Sequence, residues 1–259
     1  LYKEYPSPKA LARLVEGGGL ITNAEDVDYK TESQIDEHIR KDNAQRSDFV
    51  IGCDSDGVTH IFFTGGTGFL GGNLLFELAS DFKKPRIYAL ARADSDEHVK
   101  QRIKNNLTGL KMWNDALENI VVGVSGDVSL PYLGLSKERY EHLASICHVV
   151  YHSAADISYV KPYAAIKASN VDGTHEMLRF TVHNKVKPFH FVSSISVYGP
   201  AKQFLGLEAA SENTDNTPIL DYLYVENGYV KTKWISDKMV ETAIQRGVPA
   251  KIYRPGFIE

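Results

Sequence analysis

Tyr229 and Lys233 stand four residues apart in Gly228-Tyr229-Val230-Lys231-Thr232-Lys233. The surrounding pattern predicts a helix over residues 228–246, and on a helix that spacing puts both side chains on one face. A nearby ammonium stabilises a phenolate and lowers the tyrosine pKa, so Tyr229 can protonate an oxygen that gains negative charge as hydride reaches a carbonyl carbon. Ser194 ends a predicted strand in Phe191-Val192-Ser193-Ser194-Ile195-Ser196-Val197-Tyr198-Gly199. A hydroxyl at the carboxyl edge of an open sheet can donate to the same developing oxyanion. Tyr and Lys at this spacing also occur on many exposed helices, so the pair gains meaning from the elements that carry it.

The first such element is Thr64-Gly65-Gly66-Thr67-Gly68-Phe69-Leu70-Gly71, which follows a predicted strand and opens a helix with Leu70, Leu74, Leu75 and Leu78 on its apolar face. Glycines in this context make a tight turn, let backbone approach a pyrophosphate and pack helix against strand, while the helix N-terminus favours the anion. A bare glycine triplet can be a plain tight turn, but the strand, loop and helix point to a dinucleotide. Arg92 ends the next strand, where a guanidinium fork matches a ribose 2′-phosphate, and Arg102 on the following helix can support it, so NADPH is the expected cofactor. Asp94 and Asp96 complicate this end, since either can cap the helix or contact a ribose hydroxyl. Asp127 in Gly126-Asp127-Val128 can accept from the adenine amino group or serve as a turn aspartate. Ser153-Ala154-Ala155 has the small side chains that let backbone lie against ribose and diphosphate. On this placement Lys233 can also hold the nicotinamide ribose.

These residues need a scaffold, and the sequence supplies an alternation. Strands are expected over residues 58–64, 86–91, 120–124, 148–152, 189–193 and 250–253, and helices over 69–80, 97–107, 137–145, 163–184 and 228–246. Apolar β-branched runs alternating with amphipathic segments are the signature of an α/β fold with a doubly wound parallel sheet of Rossmann type. Before it lie a short helix over 7–15, with Ser7 as N-cap and Pro8 at the first helical position, then Gly17-Gly18-Gly19 and a polar, acidic stretch read as linker. One weak helical stretch spans 33–40.

The 259 residues carry 29 Lys and Arg against 33 Asp and Glu, a net charge of −4, with 43% hydrophobic and 24% charged residues. That balance describes a soluble globular chain and offers no basic stripe for nucleic acid or anionic lipid. No apolar run approaches the ~20 residues that span a bilayer, and no signal-peptide pattern opens the chain, so a cytoplasmic location is expected. Cys53 and Cys147 are far apart with no CxxC, and the nine histidines form no cluster of ligand spacing, so neither a disulfide nor a metal is expected.

Together the glycine loop, the serine strand, Tyr229-x-x-x-Lys233 and Tyr253-Arg254-Pro255-Gly256 resemble an extended short-chain dehydrogenase/reductase over residues 58–259. Val150-Tyr151-His152-Ser153-Ala154-Ala155, Ala168-Ser169-Asn170-Val171-Asp172-Gly173-Thr174 and Ile252-Tyr253-Arg254-Pro255-Gly256 narrow the resemblance. They are similar to the terminal thioester reductase domains of nonribosomal peptide synthetases, polyketide synthases and carboxylic acid reductases. The resemblance implies a catalytic set of Ser194, Tyr229 and Lys233. It implies a cofactor set of Gly65, Thr67, Gly68, Phe69, Leu70, Gly71, Arg92, Arg102, Asp127, Val128, Ser153, Ala154, Ala155, Tyr229, Lys233, Tyr253 and Pro255. It further implies NADPH-dependent reduction of a phosphopantetheine-bound acyl thioester to an aldehyde, sometimes onward to an alcohol, by a monomer served by a carrier domain. Threonine is common at the Ser194 position in these reductases, and serine keeps the hydroxyl. Asn170 is expected to be structural or to position water.

Residues 1–16 look like the tail helix of a carrier domain, 17–57 a linker and 58–259 the reductase domain. The chain ends soon after Pro255-Gly256, so much of a C-terminal substrate region is expected to be missing. Gly52-Cys53-Asp54-Ser55-Asp56 is expected to be a loop. Two other readings stay open: an extended dehydrogenase or epimerase acting on a nucleotide-sugar, and a cofactor-binding module without turnover.

Overall fold

A computed structural model describes residues 27–40, 51–199 and 226–258, with scattered positions between 206 and 223. The proposed tail helix over 1–16 lies outside the described residues. The first element is one helical turn, α1 (Tyr29–Glu32), whose free amides are accepted by the Asp28 side chain. Next come β1 (Thr59–Thr64) and α2 (Phe69–Asp81), then β2 (Pro85–Ala91), α3 (Asp96–Gly109), the single turn α4 (Leu117–Ile120) and β3 (Val121–Ser125). The chain continues through α5 (Lys137–Ile146), β4 (Val149–His152), α6 (Tyr163–Lys167), α7 (Gly173–Val182), β5 (Phe189–Val192), α8 (Gly228–Gln245) and β6 (Ala250–Tyr253).

The strands form one sheet in the order β3-β2-β1-β4-β5-β6, and every pairing is parallel. This is the doubly wound order expected from the alternation. Ile61, Phe62 and Phe63 are consecutive and all fully buried, because helices cover both faces of β1. One core gathers Leu75, Leu78, Val99, Ile103 and Leu107 from α2 and α3 over one face. The other gathers Met177, Phe180, Trp234, Ile235 and Met239 from α7 and α8 over the opposite face. The order reverses between β1 and β4, and a crevice lies outside the carboxyl ends of those neighbours.

The helix expected over 163–184 is broken by a π turn at Ala168–Asp172. Asn170 explains the departure, because its side chain leaves the helix to accept from the Asp156 amide at 2.7 Å and to donate to the Asp156 carbonyl at 3.0 Å and to Thr232 Oγ1 at 2.9 Å. A bulge of this kind re-aims a side chain where regular pitch would point it elsewhere.

The segment read as linker also differs in part. Residues 27–40 dock on the core, burying Val27, Tyr29, Ile35 and Ile39, and beyond α1 they form turns in place of the weak helix. Asp36 accepts from Arg179 at 2.6 Å, Arg246 donates to the Asp36 carbonyl at 2.8 Å, and the Tyr29 ring meets Trp234 edge-on with centroids 6.2 Å apart. The Arg179 bond holds the Asp36 carboxyl below its ordinary value. Composition hid this docking because four apolar residues scattered through a polar, acidic stretch look like linker. Ile39→Ala should lower unfolding stability by about 2–5 kcal/mol, the usual cost of a cavity at a fully buried aliphatic site. Urea denaturation checks it; a segment that merely joined two units would leave the curve unchanged.

Candidate active site

A cleft of about 950 Å³ opens along the carboxyl ends of the strands, between the glycine loop and the start of α8. Its floor depends on backbone contacts. Gly65 has φ +91°, and a Cβ there would come within 2.7 Å of the Ser153 carbonyl carbon and 2.8 Å of the Ala154 amide. A Cβ on Gly71 would run into the Gly65 carbonyl. Gly68 caps α2 with no side-chain hydrogen bond, so the first amides of a 13-residue helix face the cleft uncovered. Asn106 of α3 locks the loop from behind by donating to the Gly66 and Gly68 carbonyls at 3.1 and 3.0 Å. Thr64 Oγ1 accepts from the Ala154 amide at 3.2 Å and bonds with His152 Nδ1 at 2.8 Å, tying the ends of β1 and β4 together.

At one end of the cleft lie Arg92 and Arg102, both exposed, with Arg102 donating to the Arg92 carbonyl. The carboxylates expected to compete are placed elsewhere. Ser95, not an aspartate, caps α3 through the His98 amide at 3.2 Å. Asp96 accepts from the Ser125 amide at 2.8 Å and pairs with Arg139, and Asp94 faces His98 at 3.8 Å. Asp127 accepts from the amide and hydroxyl of Ser129, so it is a turn aspartate that also borders the cleft.

At the other end stand Ser194, Tyr229 and Lys233. Asn227 caps α8, and a Cβ on Gly228 would lie 2.6 Å from the Lys161 carbonyl, so glycine lets the helix start press against the loop after β4. That puts the Tyr159 ring 5.1 Å from the Tyr229 ring. Burial pushes the Tyr229 phenol above its ordinary pKa, and only the Ser194 hydrogen bond opposes it. The neighbouring Tyr159 phenol adds to the rise. Lys233 Nζ donates to the Val192 carbonyl at 2.7 Å and sits 4.8 Å above the Phe191 ring. Burial brings Lys233 down to about 8 against the opposing field of Asp237. Ser194 Oγ accepts from the Ser196 amide at 3.2 Å and the Ser196 hydroxyl at 2.9 Å, which leaves its own proton to donate.

Of the residues expected to bind cofactor or take part in the reaction, only Tyr253 is absent from the cleft walls among the described residues. Strand alternation turns its side chain away: the hydroxyl bonds with His190 Nδ1 at 2.7 Å and the ring stacks on His190, which stacks on Tyr151. Pro255 borders the cleft beside Gly256. Asp156, Ile157, Tyr159, Phe257 and Ile258 also line it and were not anticipated. An apolar Ile157-Ser158-Tyr159-Val160 directly after a small-residue strand exit was the available signal for the first group.

Residues 63–259 match the family described as Male sterility protein, an NAD-binding domain. The chain belongs to this family. It is 35% identical over 198 residues to the aldehyde reductase lnbA of Aspergillus flavus, covering 76% of this chain and 20% of that protein. It is 32% identical over 256 residues to a linear gramicidin synthase polypeptide of Brevibacillus parabrevis, covering 98% of this chain and 5% of that one. Among solved structures, the terminal R domain from the myxalamid PKS-NRPS biosynthetic pathway superposes with a TM-score of 0.75 at 31% identity, covering 88% of this chain and 55% of that domain. The chain thus spans a fifth or less of these curated relatives' length.

The family binds a nicotinamide dinucleotide, and the residues of the cleft would fit one: uncovered helix amides for the pyrophosphate, small residues at Ser153 to Ala155, and two guanidinium groups beyond. Gly71→Ala should weaken dinucleotide binding about tenfold or more, equal to ~1.4 kcal/mol, because the new Cβ displaces the Gly65 carbonyl. Calorimetric titration reads it, and unchanged affinity would show that the loop does not cradle the phosphates.

Proposed function

We propose that this chain is the cofactor-binding and catalytic part of an NADPH-dependent thioester reductase, whose substrate is an acyl group held on a phosphopantetheine carrier and whose first product is an aldehyde. The observation that carries the reading is the gathering of Ser194, Tyr229 and Lys233 at the end of the glycine-loop cleft opposite Arg92 and Arg102. The similarity to an aldehyde reductase and to a gramicidin synthase polypeptide supports it.

Bound NADPH supplies the hydride. The residues of the chain manage charge and protons. Ser194 donates to the thioester carbonyl oxygen, with its lone pairs already occupied by Ser196. Tyr229 gives that oxygen its proton, and the Lys233 ammonium offsets the phenolate left behind. Collapse of the hemithioacetal reverses the transfer: the phenolate recovers the hydroxyl proton, the carbon–sulfur bond breaks, and the thiolate leaves to take a proton from water. The overall change consumes one thioester, one NADPH and one proton, and yields one aldehyde, one thiol and one NADP⁺.

The choice of NADPH rests on Arg92 and Arg102, since a guanidinium fork binds a 2′-phosphate in two places. Native protein should therefore bind NADPH more tightly than NADH, and Arg92→Ala should remove most of that difference while leaving NADH binding unaltered. Equal binding of both cofactors by native protein would contradict the assignment. In the full-length protein supplied with carrier-bound acyl thioester, Tyr229→Phe should lower kcat by about 10²–10⁴, the range for removing a positioned acid. NADPH oxidation on nucleotide-sugars but never on a carrier-bound thioester would overturn the function.

A further inference from the structure

Behind the three reacting side chains lies a fully buried carboxylate, Asp237, one helical turn beyond Lys233 on α8. It accepts from the Ser193 hydroxyl at 2.5 Å and from Arg254 Nε and Nη2 at 3.0 and 2.6 Å. Arg254 also donates to Glu241 at 2.8 Å and to the Tyr198 hydroxyl at 2.9 Å. Three separate segments therefore meet at one carboxylate: the catalytic helix, the end of β5 just before Ser194, and the exit of β6 just before Pro255. The same exits are laced through the backbone, where the Ser193 amide donates to the Tyr253 carbonyl at 2.7 Å and the Ile195 amide to the Pro255 carbonyl at 2.9 Å.

We propose that Asp237 is a fourth, positioning member of the site: its buried carboxylate stands one turn along the helix from Lys233 as the counter-charge of that ammonium, and its bonds to Ser193 and Arg254 fix Ser194 against the catalytic helix. The proposal rests on the reductase reading for its purpose, but not for its measurement. A structural clamp alone could use an uncharged acceptor, whereas a group that sets the state of Lys233 must carry charge. Among the described residues, the neighbours of Lys233 leave Asp237 that role. From β5 come a carbonyl and a phenyl ring. On α8 the other neighbour is the Tyr229 phenol, held neutral by burial. From β4 comes His152, which burial lowers to about 3 and so leaves uncharged in the working range. Arg254 is turned to Asp237, Glu241 and Tyr198, and Lys238 is taken by Glu241 at 2.8 Å.

The sign of the effect follows. Asp237 raises the Lys233 pKa against burial, so removing its charge makes the lysine lose its proton at lower pH. Competitive amine labelling of the cofactor-free full-length protein, read by mass spectrometry across pH, measures the Lys233 midpoint directly. In Asp237→Asn, which keeps the shape and can still accept from Ser193, the midpoint should fall by about one pH unit, and the alkaline limb of kcat should fall with it. Arg254→Gln should move the midpoint the other way, because the carboxylate is then uncompensated, and it carries the test should Asp237→Asn not fold. A midpoint that stays at the native value in either folded variant overturns the proposal. Failure of the native protein to reduce an acyl thioester would overturn the reductase reading instead, and the labelling result would still judge Asp237.

Discussion

The passage of the β1 turn beneath the exit of β4 is the contact on which the rest of the site depends. Backbone meets backbone there, with no room for a side chain at Gly65, whose left-handed conformation an L-residue adopts only with strain. Because this contact closes, α2 begins at Gly68 with its first amides aimed into the cleft and its Leu75 and Leu78 seated on the sheet. The same contact puts Ser153 and Ala154 at the floor, and the β4–β5 pairing then fixes how far Ser194 stands from the helix end. The glycine loop and Ser194 are thus set by one sheet register and not by independent loops.

The second constraint is electrostatic. Burying an ammonium is costly, and two of the buried lysines among the described residues show different results. Lys187 donates to the His183 and Lys185 carbonyls, its field partners are a thiol and another lysine, and burial takes it down to about 7. Lys233 is as deeply buried, donates to one carbonyl and has a carboxylate one turn away, and it stays near 8. Burial lowers both, and only Lys233 has a carboxylate among the charges that oppose it. A buried Asp237 that would otherwise be a liability accepts from Ser193 and twice from Arg254, so each of its oxygens has a hydrogen-bond partner.

The sheet was readable in the sequence because its signal is local. Each strand is a short β-branched or aromatic run, and each long helix carries its own apolar stripe, so ends fell within one or two residues of those expected. The glycine loop and the Tyr229–Lys233 pair were readable for the same reason, being fixed spacings within one element. What stayed hidden depends on partners distant in sequence. Asn106 holding the glycine loop, Asn170 breaking a helix to reach Thr232, and residues 27–40 docking through Asp36 and Arg179 each join positions dozens of residues apart. Tyr253 shows the reverse error: its neighbours Pro255 and Gly256 reach the cleft, but alternation along β6 sends its own side chain to His190.

The state of Tyr229 bears on how the proposed proton transfer begins. A phenol that takes a proton from an alcohol works best when neighbouring charge has lowered its pKa, because it must be ionised before the reaction. Tyr229 is pushed the other way by burial, so it enters as a full acid, and Ser194 beside it has a proton to give. Under the proposed reading, a protonated phenol and a serine hydroxyl are the donors for an oxygen that arrives uncharged and becomes negative, which is what a carbonyl does when it is reduced. In that reading the Lys233 ammonium is the counter-charge for the phenolate that forms as the proton leaves. Run backwards, the same groups start as a compensated phenolate that accepts an alcohol's proton, so they serve the step in either direction and the supply of hydride donor sets which way it runs.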